Sequence, residues 1–514
     1  MKSSENIRRF VNMKRIVIAI AALAAAISCG QTSQSADPEV FSLQGEVDTL
    51  LFRQVPFEWK VTPRHDYSKI FTTKLFLCQA EYDGEFLGRC KVRDNGEKTV
   101  YLTIEQAFEL IKGMDQITLG IPKLVYLVGW QYNGHDSKYP AFFEGNEAVK
   151  RPEDEDALQS IRWLMEAAKE YNTVVSLHIN MFDAFEDSPL FEKYKEADVL
   201  AKNADGSLMQ SEWGYKVCYP AEWEKGLAQE RIDRLCSLLP VADAGTIHID
   251  AFHQKAPVPF INKDGEYQVG LVSPVSPGHK YTAEQDMEAR ADIVKYFDSK
   301  GIDVTTEGAW NMTIGDITEG YFPMYFHYNS EEMSLSLNPS QGNGVNCGIR
   351  AFGNNINGEQ TFRNAGSTDA GLEEFKKGFC QKSLICQYLN TFGRKALIKD
   401  ENDNSIGVFE GGVRTLYEDE DEKMSVAKDG IILASEGDVF IPAVWLGNEN
   451  IVAFSENGYT DRTWTVPAGV TLPRNARAWT ISQEGRTEFT DFKIKGRQVT
   501  LTLAPGQMVL IAKD

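Results

Sequence analysis

The chain has 514 residues, with 53 Lys+Arg against 74 Asp+Glu and a formal net charge of −21; that length is several times the roughly 150 residues of one domain. Hydrophobic residues make up 42% and charged residues 25%, the proportions of a folded chain rather than a disordered one. The acid excess argues against a nucleic-acid partner, which calls for a basic face.

At the amino terminus Lys14-Arg15 precede an apolar run, Ile16 to Ile27, that breaks at Ser28-Cys29-Gly30. A basic start, a short apolar stretch and a small residue at the break predict a secretory signal over residues 1–28. The run falls short of the roughly 20 apolar residues that span a bilayer. Cys29 after Ala26-Ile27-Ser28 resembles a bacterial lipoprotein signal, which implies lipidation of Cys29 and an exported protein at the cell surface or in the periplasm; a plain signal peptide with an incidental cysteine is the alternative. Met13 is a second candidate start. Residues 29–39 are polar and suit a tether, so the membrane is a partner through the lipid anchor only. Cleavage after residue 28 removes five basic residues and one acidic one, leaving −25. The seven other cysteines form no CxxC pair, which predicts buried thiols, with room for one or two disulfides, and no zinc site.

Residues 40–100 hold β-formers and turns in a pattern too irregular for individual strands, and are expected to pack on the domain that follows. Thr103 to Met114 reads as a helix opened by a capping box, Thr103-Ile-Glu-Gln106. Strand-like runs then alternate with helical periodicity: strands at 124–128, 173–180, 246–250 and 302–306, helices at 154–170, 222–239 and 283–299, and a last helix near 372–389. Repeating units of this kind predict a parallel sheet with crossover helices, and a (β/α) barrel over residues 101–391 in preference to an open sheet. Neither GxGxxG nor GxxxxGK[ST] follows a strand, which argues against nucleotide binding. Short alternating segments with turn signals such as Gly411-Gly412 and Glu456-Asn-Gly458 predict an all-β sandwich over 392–514.

In a barrel the reactive groups sit at the carboxyl ends of the strands. Those ends read Gly129-Trp130-Gln-Tyr132-Asn-Gly-His135-Asp136, His178-Ile-Asn180, His248-Ile-Asp250-Ala-Phe252-His253 and Thr306-Glu307-Gly-Ala-Trp310. A carboxylate after an apolar strand is costly to desolvate unless paired or used, and Asp250 and Glu307 close consecutive strands beside aromatic residues. Paired carboxylates are what glycoside hydrolysis requires: one attacks the anomeric carbon or activates water, the other protonates the leaving oxygen. Asp136, His178 and Asn180 would hold sugar hydroxyls, and Trp130, Tyr132, Phe252 and Trp310 would offer ring platforms. A metal site is the rival use of His135, Asp136, His178 and Asp250, although no HExxH-like spacing is present. His65, His279 and His327 read as structural histidines.

Gly134-His135-Asp136-Ser-Lys-Tyr-Pro140 resembles the GHD…P segment of glycoside hydrolase family 101, the endo-α-N-acetylgalactosaminidases, and His178-Ile-Asn180 is similar to that family's HIN segment. The resemblance covers residues 100–365. It implies a distorted, TIM-like (β/α)8 barrel followed by β domains, and a retaining α-glycosidase acting on mucin-type O-glycans without a cofactor. Asp250 falls where the family's nucleophile stands and Glu307 where its acid/base stands. His135, Asp136, His178, Asn180, Trp130, His253 and Trp310 would line the sugar site. Gly308-Ala-Trp310 departs from the family's aromatic-glycine pair, and family members are usually far longer. The related family 129, exo-acting α-N-acetylgalactosaminidases, shares the arrangement. The released sugar is therefore open between Gal–GalNAc, GalNAc and another sugar. A lipid-anchored glycan-binding protein on a degenerate barrel is the non-enzymatic alternative, and a metal-dependent hydrolase a third.

Overall fold

The computed structural model describes residues 48–52, 58–83, 93–211, 214–252, 258–261, 267–270, 276–307, 319–325, 360–400, 402–418, 423–473 and 475–513. The signal, the tether, Cys29, His253, Trp310 and His327 lie outside the described residues. No helix among those described is long and apolar enough to cross a membrane.

Five parallel strands form the sheet that carries the site: β1 (Phe71–Phe76), β2 (Lys123–Val128), β3 (Thr173–Asn180), β4 (Thr246–Asp250) and β5 (Asp303–Thr306). They lie side by side in chain order, without the reversal that marks a doubly wound sheet. All five carboxyl ends therefore open on one edge. Among the described residues this arc does not close into a barrel; a parallel bridge, Thr306 to Tyr325, extends it beyond β5. β2 is buried at every position, as expected for a strand covered on both faces.

The crossover helices are α1 (Ile104–Thr118), α2 (Ala157–Ala167), α3 (Leu227–Leu238) and α4 (Ala283–Ser299). In α1 the Thr103 hydroxyl accepts from the Gln106 backbone and the Gln106 side chain accepts from the Thr103 N–H, so the expected capping box is formed. The helix expected over 222–239 is two, Tyr219–Glu224 and α3. Gly226 between them has φ 73°, a left-handed conformation that suits glycine and ends the first helix.

The segment 40–100 departs from its expected place. Phe71–Phe76 is an edge strand of the parallel sheet, so the sheet begins about 30 residues before the expected boundary at 101. Asp48–Leu51 pairs instead with Arg394–Lys399 in the C-terminal sheet. The described cysteines (78, 218, 236, 380 and 386) are all thiols.

From Arg394 onward the strands are antiparallel. Among the described residues eleven strands make one sheet, and Tyr459–Thr465, Gln498–Leu503 and Phe492–Lys495 make a second sheet of three. Phe440, Ile451, Ala453, Val509 and Ile511 of the large sheet share a core with Trp464, Val499, Leu501 and Leu503 of the small one, which is a sandwich. The alternate residues Ile441, Val452, Phe454, Met508 and Leu510 point the other way, into the same core as α1 and the parallel sheet. Period-2 alternation normally gives one apolar face; here both faces are buried. Residues 35–514 accordingly form one compact unit.

Candidate active site

The segment after β2 is shaped by close backbone approach. Gly129 has φ 75°, and a Cβ there would meet the Cys78 carbonyl oxygen at 2.0 Å, so only glycine fits. His135 then bridges back to Gln79, its N–H bonding the Cys78 carbonyl at 2.8 Å. Tyr132, Asp136 and Lys138 all have positive φ (44°, 63° and 62°), conformations that cost on the order of 1 kcal/mol or more each and concentrate at functional sites. Lys138 ties this loop to Asp187 at 2.5 Å.

The carboxylates meet at the open edge. Asp250 ends β4 in register with Asn180 of β3. Ala251 beside it has φ 52°. Asp250 and Glu307, 14% and 21% exposed, make a side-chain polar contact. His135 Nε2 stands 3.7 Å and His178 Nε2 3.4 Å from Asp250 Oδ2. His135 Nδ1 lies 3.4 Å from Asp136 Oδ2. Burial acts to raise the Asp250 carboxyl, but the charge of His178 and close polar contacts with His135, His178 and Glu307 outweigh it, holding Asp250 well below the usual range. For His178 burial comes first and the Lys74 charge second, and both favour a neutral imidazole. Asp250 is therefore ionised, and its charge in turn favours a proton on His178 against that burial.

Three residues not singled out from the sequence complete the site. Lys74, in the middle of β1 and only 3% exposed, places Nζ 3.3 Å from Glu307 Oε1. Asp183 is buried, paired with buried Lys216 and held by Asn180 Nδ2 at 2.7 Å. Burial raises the Asp183 carboxyl to about 6; Lys216 opposes this, and Asp136 and Asp250 add to it. Lys216 reaches it because Gly214–Lys216 pairs with Asp183–Ala184 in a short antiparallel ribbon. Lys74 and Lys216 sit among β-formers and left no motif; Asp183, three residues past the His-Ile-Asn segment, was the more legible.

The expected sugar-lining set divides. His135, Asp136, His178, Asp250 and Glu307 come together, with His178 and Asp136 behind the exposed faces of the others. Trp130 does not line the cleft: it is fully buried and donates Nε1–H to the His178 carbonyl at 2.9 Å, so it braces β3. Asn180 is likewise internal, its Oδ1 accepting the Phe182 and Asp183 N–H groups. Phe252 packs edge-on against Tyr219 and Phe322 in the core. Apolar side chains next to a strand end are more readily drawn under the sheet than left as platforms. His65 and His279 bond backbone carbonyls away from the site, as structural histidines do.

Residues 103–263 match the family model for endo-alpha-N-acetylgalactosaminidase, the glycoside hydrolase family 101 domain. The matched stretch runs from α1 past β4 and includes Asp250, while Lys74 and Glu307 lie outside it. No curated protein matches the chain. Among solved structures, the alpha-N-acetylgalactosaminidase NagBb from Bifidobacterium bifidum is similar at 11% identity and a TM-score of 0.46, over 70% of this chain and 57% of that one. The GH36 alpha-galactosidase AgaA from Geobacillus stearothermophilus is similar at 11% identity and 0.40, over 80% and 54%. An alpha-amylase from Geobacillus thermoleovorans gives 8% and 0.39, over 88% and 100%. The chain thus spans 57% of the length of the NagBb structure.

Asp183 carries a pH signature. Its folded pKa of about 6 lies above the ordinary 3.8, so between those values the folded chain keeps a proton that the unfolded chain releases. Its contribution is therefore fully present below about pH 4 and is lost as pH rises through 6, a change of about 3 kcal/mol. Denaturant midpoints at pH 4 and pH 7 should differ less in Asp183→Asn than in the parent. Equal differences in the two proteins would remove Asp183 as the source.

Proposed function

We propose that this chain is a retaining α-glycosidase that releases α-linked N-acetylgalactosamine, alone or as Gal-β1,3-GalNAc, from mucin-type O-glycans. The observation that carries the reading is a pair of carboxylates, Asp250 and Glu307, at the carboxyl ends of the adjacent parallel strands β4 and β5, within and beside the stretch that matches the glycoside hydrolase family 101 model. Single displacement needs carboxyls about 6.5–9.5 Å apart, with water between them, whereas double displacement uses a pair about 5–5.5 Å apart. The Asp250 and Glu307 side chains meet more closely than either spacing, which is nearer to the second.

In the first step the Asp250 carboxylate attacks the anomeric carbon while Glu307 gives its proton to the departing oxygen, forming a glycosyl ester and freeing the serine or threonine hydroxyl. In the second, the Glu307 carboxylate takes a proton from water as that water attacks the same carbon, and Asp250 leaves as carboxylate. Lys74 stabilises the Glu307 carboxylate formed between the steps. His135 and Asp136 would hold hydroxyls of the bound sugar. His253 and Trp310 are kept as sugar-lining candidates on the sequence reading alone. The barrel closing around the site, export as a lipoprotein anchored through Cys29, and the 29–39 tether belong to the same proposal.

Incubation with mucin-type glycopeptides, with NMR of the first anomer released, tests it. The expected product is the α-anomer of GalNAc or Gal–GalNAc. Initial release of the β-anomer would refute retention, and sugar binding without release would favour a glycan-binding protein.

A further inference from the structure

We propose that His135, His178 and Asp250 form a binding site for one late first-row divalent cation, of which zinc is the type, and that this cation blocks the sugar site. Two imidazole nitrogens and a carboxylate oxygen are the donor set such ions prefer. The three atoms, Nε2 of each histidine and Oδ2 of Asp250, stand 3.4 and 3.7 Å apart across the carboxylate and within 4.8 Å throughout. Ligand bonds of about 2.0–2.1 Å in a tetrahedron put donors about 3.4 Å apart, so small side-chain shifts close the site around an ion.

A second observation is independent of those distances. His178 is buried, its Nδ1 has no hydrogen-bond partner, and its Nε2 meets Asp250 without hydrogen-bond alignment. An imidazole buried in this state is costly, and a cation would engage Nε2. Asp136, 3.4 Å behind His135 Nδ1, supplies the outer carboxylate that orients metal-binding histidines. The donors come from two strands and the strained loop after β2, so little ordering is needed. His135 and Asp250 are partly exposed, which leaves a fourth position open toward the cleft. Lys74 opposes a dication, but it is paired with Glu307, and the carboxylates of Asp136 and Asp250 remain to attract one.

That zinc shuts off hydrolysis rests on the proposed function, because Asp250 Oδ2 would be both ligand and nucleophile; that zinc binds does not. Calorimetric titration of zinc chloride into the purified chain should show a tight site. His178→Gln and Asp250→Asn should each weaken it about 100-fold, and Asp136→Asn about 10–100-fold. Circular dichroism of the zinc-free variants checks folding; if His178→Gln does not fold, the isosteric Asp250→Asn decides. Absence of zinc binding in the parent chain, or binding unchanged in Asp250→Asn, would overturn the site. Zinc binding at these residues in a chain that cleaves no glycan would keep the site and sink the glycosidase. Hydrolysis untouched by saturating zinc would sink the blocking role.

Discussion

Asp250→Asn is expected to lower kcat on an aryl α-GalNAc or aryl Gal-β1,3-GalNAc substrate by at least about 10,000-fold, because in the proposed mechanism Asp250 forms the glycosyl ester. The substitution keeps the size of the side chain and removes the charge that His135 and His178 surround, so the fold is retained. Glu307→Gln should behave differently. An aryl leaving group departs without protonation, so the first step survives and the second, which needs a base, becomes limiting. The expected signature is a burst of phenol followed by slow turnover, with a much larger loss on serine- or threonine-linked glycans. Near-parental activity in Asp250→Asn would end the assignment of the nucleophile. Equal losses on aryl and peptide substrates in Glu307→Gln would end that of the acid/base.

The largest stability effect is expected at Arg231. Its guanidinium on α3 is 1% exposed and donates to Glu222 at 2.8 Å and to the Met181 carbonyl at 3.0 Å. A longer contact reaches the Pro140 carbonyl at 3.4 Å. Glu222 is fully buried and also accepts from Tyr194 at 2.6 Å. One side chain thus joins α3 to the two loops that follow β2 and β3, which carry Asp136 and Asp183. Arg231→Met leaves Glu222 as an uncompensated buried charge and should cost about 3–5 kcal/mol. Adding Glu222→Gln removes that charge, so the double variant should recover part of the loss in denaturant unfolding. A double variant no more stable than Arg231→Met would show that the carbonyl contacts, not the charge, dominate.

What could be read from the sequence followed from how each element is covered. β2, β3 and β4 are buried strands with apolar runs, and they lie within a residue of where periodicity placed them. β1 was not legible because Thr72, Thr73 and Lys74 fill its centre; all three are buried, yet they break both the apolar run and the alternation. The proposed catalytic pair, Asp250 and Glu307, stood out because each carboxylate closes a strand. The pairing of Asp183 with Lys216 was not legible, although Asp183 lies close to the His-Ile-Asn segment, since their meeting depends on a two-residue ribbon between positions 33 apart. Two of the expected aromatic platforms failed for a related reason: adjacency to a strand end says nothing of whether a ring turns outward, and Trp130 and Phe252 turn inward.

The sheet that ends the chain has a bearing on how such a protein can evolve. Val452, Phe454, Met508 and Leu510 roof the body that holds Asp250, and Ala453, Ile451 and Val509, between them in the same strands, floor the sandwich. Recombination that exchanged the residues after 392 for another β module would strip a wall from the domain that carries the candidate site. Selection on that site therefore constrains strands far from it, and lineages can append modules beyond this sheet more easily than they can replace it.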